Sequence, residues 1–131
     1  MKDIDIHIKL QEVSSVFRGA EEKAAIYVKN TERLAVILKE AQEKFERTHP
    51  ALGAAALHLQ TFLTVVEDLV NGKPTEIPAE HIHLIVSGVV YFISPCDVFP
   101  DFIVGFGFID DIFIIGLIAA AVNSSIEQYN A

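Results

Sequence analysis

Two stretches of this chain, residues 82–93 (IHLIVSGVVYFI) and 112–122 (IFIIGLIAAAV), are apolar nearly all round. A helix without a polar face has to be surrounded, either by the rest of a core or by lipid. These runs hold 12 and 11 residues, whereas crossing a bilayer takes about 20. No Lys or Arg flanks either run, and Asp97, Asp101, Asp110 and Asp111 lie between them. Membrane helices are instead oriented by flanking cations. The pattern predicts a buried helical hairpin with amphipathic helices wrapped around it, an all-α compact helical bundle. The 131 residues suffice for one core without staples and are read as a single domain, 1–131.

The wrapping helices are read from the first half. Residues 15–29 have helical spacing, with Phe17, Ala24, Ala25 and Val28 broadly on one face. Asn30-Thr31-Glu32 reads as a cap and an acidic first turn, followed by Leu34, Ile37, Leu38, Ala41 and Phe45. Thr48-His49-Pro50 is read as an interruption, with Pro50 placed at the first position of the next helix. That helix has the clearest stripe: Leu52, Ala55, Ala56, Leu59, Phe62, Leu63, Val66, Leu69 and Val70, closed by Asn71-Gly72. Residues 73–78 form a loop with two prolines. Residues 3–10 alternate as a strand would but also fit a helix, and the pattern leaves both open.

The net charge of −8 is uneven. The last basic residue is Lys73; after it come Glu76, Glu80, Asp97, Asp101, Asp110, Asp111 and Glu127, so the C-terminal half is strongly acidic. Such a surface repels a phosphate backbone, which argues against nucleic acid, and suits a basic protein partner or a divalent cation. The single cysteine, Cys96, forms no intrachain disulfide. The opening MKDIDIHIKL has acids where a signal peptide needs a basic then apolar segment. A cytoplasmic location is expected.

A generic bundle does not need the stretch from Ser94 to Asp111. Pro95 biases Ser94 away from helix, and Ser94-Pro95-Cys96-Asp97 is itself a helix-start pattern, which Pro100 would end. Gly105 and Gly107 allow positive φ or close backbone approach. Asp110 and Asp111 open the last helix, where negative charge meets the positive end of its dipole. Capping accounts well for Asp97 and Asp110, less well for Asp101 and Asp111. The four carboxylates need an offset: backbone N–H groups, an arginine such as Arg18, Arg33 or Arg47, or a hard cation. No EF-hand spacing is present, so the expectation is structural capping without a resident cofactor. A divalent ion on Asp97, Asp101, Asp110 and Asp111 is the alternative. His81 and His83, one residue apart, point in different directions on a helix and do not form a shared metal site. His58 is expected in solvent, and the GxG at Gly105 and Gly107 follows no strand and precedes no Lys, unlike a phosphate loop.

The string YFISPCDVFPDFIVGFGFIDD (residues 91–111) resembles the signature of the YkvA-like family, small helical domains of unknown function. Tyr91, Ser94, Pro95, Asp97, Pro100, Asp101, Gly107, Asp110 and Asp111 fall on the family's pattern, and signature and flanks cover roughly residues 76–122. Val104 stands where members usually carry a second turn proline, and Cys96 replaces an aliphatic residue. The resemblance implies a helical domain with an acidic turn, and no activity or cofactor.

No nucleophile–base pair is evident, so the leading expectation is a non-catalytic protein-interaction module using the acidic C-terminal half, as a monomer or small homo-oligomer. An immunity-type antagonist of a basic toxin is one version of it. A metal site at the aspartates is a second reading. A membrane-proximal protein making peripheral contact through the apolar hairpin is a third.

Overall fold

The computed structural model describes residues 16–93 and 109–130, with side chains at 17–93 and 112–127. Five α-helices are present among them: α1 (Val16–Tyr27), α2 (Thr31–Leu52), α3 (Ala55–Val70), α4 (Ala79–Ile93) and α5 (Ile109–Asn130). No strand occurs among the described residues, and the fold is all-α. Residues 3–10 lie outside them.

The centre of the bundle is α4, which packs against α1, α2, α3 and α5. Its residues 84–90 and Phe92 are all buried, as the run without a polar face requires. Two of these are polar or small for a reason. The Ser87 hydroxyl donates to the His83 carbonyl one turn back at 2.6 Å, so a fully buried O–H is satisfied within the helix. Gly88 is a point of close approach: a Cβ added there would lie 2.9 Å from Ile118 Cδ1 on α5. His81 meets Ser125 and Gly88 meets Ile118, so α5 runs antiparallel to α4.

The helix stops are mostly where local chemistry puts them. The Asn30 side chain caps α2 by accepting from the Arg33 N–H at 3.1 Å. At the other end of α3, Gly72 takes φ 74°, the left-handed conformation of a C-cap glycine. Leu59, Phe62, Val65 and Val66 of α3 are fully buried, each such burial contributing about 1.5–3 kcal/mol.

Three expectations need correcting. Pro50 does not begin a helix: α2 continues through it to Leu52, and the break falls at Gly53, φ 60°. Proline deletes one N–H donor, and near a helix end that loss concerns a carbonyl water can reach, because Glu46 is exposed. In α1 the inner face is Phe17, Ala20, Glu21 and Ala24, while Ala25 is exposed. The arms of the apolar pair are also unequal. In α5, Ile114, Ile115, Ile118, Ala119, Val122 and Ile126 are buried, but Ile112, Phe113, Gly116 and Ala120 are exposed. That helix therefore has an inside and an outside, and both are apolar from Ile112 to Ala120.

Candidate functional site

The stretch expected to carry a site, with Ser94, Pro95, Asp97, Pro100, Asp101 and Gly107, lies outside the described residues. Asp110 and Asp111 fall in the first turn of α5. What can be built from atoms is the frame on either side, beginning with the last turn of α4.

Phe92 is fully buried there, and Lys44 of α2 reaches it in two ways. The ammonium Nζ donates to the Phe92 carbonyl at 2.6 Å and lies 4.8 Å from the ring centroid. The last carbonyls of a helix lack intrahelical partners and carry partial negative charge, so a cation there serves as both cap and dipole partner. The last turn of α4, where the signature begins in sequence, thus ends under a positive charge. Tyr91, the first signature residue, is half-buried, with its ring centroid 6.0 Å from that of Phe17 on α1. Arg18, Arg33 and Arg47, the basic residues suggested by sequence, are all exposed. Sequence reasoning missed Lys44, because its partner is 48 residues away.

Replacing Lys44 with Met keeps much of the apolar stem and removes the charge. The expected cost is about 1.5–3 kcal/mol, the range for a hydrogen bond to a charged group. Urea denaturation checks it, and an unchanged midpoint would show that the cap contributes nothing.

The opposite end of α4 is organised by two histidines. His83 Nε2 lies 2.9 Å from the Glu21 carbonyl of α1. A carbonyl oxygen only accepts, so the proton of this contact sits on Nε2. His81 Nδ1 lies 2.5 Å from the Ser125 hydroxyl of α5. The two rings do point to different neighbours, and each ties the start of α4 to another helix. Beside Ser125 is a depression of about 450 Å³ lined by Glu76, Pro78, Ser124, Ser125 and Glu127. Glu76, Glu127 and Glu80 of the first turn of α4 are exposed.

The acids of the last helix are spread along its length. Asp111 and Glu127 are 16 positions apart on one helix, about 24 Å along its axis. Between them α5 presents its exposed apolar residues. Among the described residues no group of three or more His, Cys, Asp or Glu could hold a metal ion. No helix among them is long and apolar enough to cross a membrane.

These features define a class, a small all-α domain in which an acidic Pro- and Gly-punctuated segment links a buried helix to one with an apolar outer face. A family model described as a protein of unknown function (DUF1232) matches residues 82–117, which contain the whole stretch 91–111. The chain is also 33% identical over 72 residues to a Bacillus subtilis (strain 168) protein named "Uncharacterized membrane protein YkvA", covering 55% of this chain and 68% of that one. The protein belongs to this YkvA-like family of unknown function. No solved structure matches it.

Proposed function

We propose that the protein is a non-catalytic interaction module that binds another protein through its C-terminal half. The observation that supports this most is the surface of α5, apolar where it faces outward from Ile112 to Ala120 and acidic where it reaches Glu127 beside Glu76. A partner that is apolar and basic complements it; nucleic acid, with its own negative charge, does not. We place this binding in the cytoplasm, on the inner side of a membrane if the relative's name reflects a shared location.

The electrostatic part of the reading is tested by ionic strength. With the partner captured from native lysate and purified, its association rate should fall about tenfold or more from low to physiological salt. Reversing Glu76 and Glu127 to Lys should slow association more than it speeds dissociation. Salt-independent association would sink the proposal.

The relative's name favours a second reading, in which the same apolar face of α5 contacts lipid directly. Against it, no Lys or Arg follows Lys73 to engage anionic headgroups. Flotation with liposomes of neutral and anionic composition separates the two.

A further inference from the structure

Among the described residues, the outward face of α5 runs apolar for more than two turns. Ile112, Gly116 and Ala120 follow one another at four-residue steps, Phe113 stands beside them, and all four are exposed. Phe113 is 54% exposed and stands outside the core. Leu117 and Ala121, half-buried, form one border. From Ile112 onward, the first polar groups on this face are Asn123 and Ser124, and the first charge is Glu127. An exposed helix face in a bundle is normally where charged residues collect.

Gly116 sharpens the point. Glycine inside a helix is destabilising relative to alanine, and a Cβ added at Gly116 would meet no atom within 4 Å. Among the described residues nothing requires a glycine here, in contrast to Gly88. Gly116 and Ala120 lower the surface in the middle of the face, which is what lets a second helix approach closely where two helices meet through small residues.

We infer that this face seats one helix of a partner protein, carrying small apolar residues along its contact stripe and a Lys or Arg where it passes Glu127. The inference rests on the interaction reading above and adds the seat and the partner's chemistry. Charge decides between occupants. A second copy docking through its own α5 would bring −8 against −8 and no cation for Glu127. An anionic lipid surface is repelled in the same way, and interfacial helices that lie on membranes are rich in Lys and Arg, which α5 lacks. A helix with one cation and a small-residue stripe satisfies both the apolar floor and the acidic end.

The test is site-specific photo-crosslinking of the full chain in its native host, with a photoreactive amino acid at Asn123 on the rim of the face. A second placement at Ala79, exposed at the start of α4, probes the acidic end alone, and one at Leu57, exposed on α3, is the control. The expected result is a protein adduct from Asn123, mapped by mass spectrometry to a helical segment with a Lys or Arg within a turn of small residues. Gly116→Leu should reduce its yield about tenfold or more by filling the seat, with the melting temperature unchanged or raised. Glu127→Lys, at an exposed position at the end of the face, should also reduce it and guards against a folding defect in the first variant. An adduct to lipid, an adduct to a second copy, or a yield indifferent to both variants overturns the inference. A protein adduct from Ala79 but none from Asn123 overturns the seat and leaves the interaction reading standing. No protein adduct from either position removes both.

Discussion

Gly88→Leu should cost about 3 kcal/mol or more, at the upper end of the range for overpacking a filled core. A domain of this size is held by only about 5–15 kcal/mol, so a large fraction of its stability is at stake. The reason is geometric. A Cβ at Gly88 would already lie 2.9 Å from Ile118 Cδ1 and 3.9 Å from Phe62 Cε2. Both neighbours are fully buried, so neither can swing into solvent. Leucine adds three more carbons in that space, at the crossing of α3, α4 and α5. Alanine is the informative intermediate: it gains about 1 kcal/mol of helix propensity and must displace a single methyl group. Removing that methyl with Ile118→Val costs about 0.5–1.5 kcal/mol alone. The double variant Gly88→Ala/Ile118→Val should therefore be more stable than the sum of the two, by about 1 kcal/mol, the scale expected for residues in contact. Urea denaturation of the four proteins in the cycle measures it. If alanine and leucine at position 88 both stabilise, as propensity alone would have them do, the helices do not approach as described.

Much of this architecture could be read from the chain because its signals are local. Asn30 caps because a carboxamide oxygen three residues before an N–H can reach it, and Asn71-Gly72 ends α3 because glycine takes positive φ freely. The same locality misled at Pro50. Proline is a break signal by prior, but its cost depends on whether the carbonyl it abandons can be hydrated, and that is a property of the packed bundle. The unequal arms of the apolar pair were illegible for a related reason. Gly116, Ala120 and Phe113 count as apolar whether or not a neighbour covers them, so hydropathy cannot tell an inner face from an outer one. Lys44 and the two histidines act across 44 to 62 residues of sequence, with nothing in the spacing to announce them. As for the candidate site, its residues Ser94 to Asp111 were legible as a family signature, and the family match covers them. The chemistry of their carboxylates is a question of three-dimensional neighbours that sequence spacing does not answer.

Phe92→Ala should be comparably damaging, about 3–5 kcal/mol for deleting a fully buried aromatic ring. Two separate contacts converge on this residue, and the variants distinguish them. The ring fills the core and lies under the Lys44 ammonium at 4.8 Å; the backbone carbonyl accepts from the same ammonium. Phe92→Leu retains much of the apolar volume and the carbonyl but loses the ring face, so its excess cost in the presence of Lys44 reports the cation–π contribution. A cycle of Phe92→Leu with Lys44→Met should give a coupling of about 0.5–2 kcal/mol, depending on how far the pair is desolvated. Amide hydrogen exchange adds the local view. If Lys44 holds the last turn of α4 through the carbonyl, Lys44→Met should speed exchange at Val90, Tyr91 and Phe92 before it affects Leu63 or Val66 of α3. Phe92→Ala, which opens the core itself, should speed exchange in both helices together. Equal protection losses in α3 and α4 from Lys44→Met would show that the lysine supports the bundle as a whole and does not specifically secure the turn of helix from which the acidic signature departs.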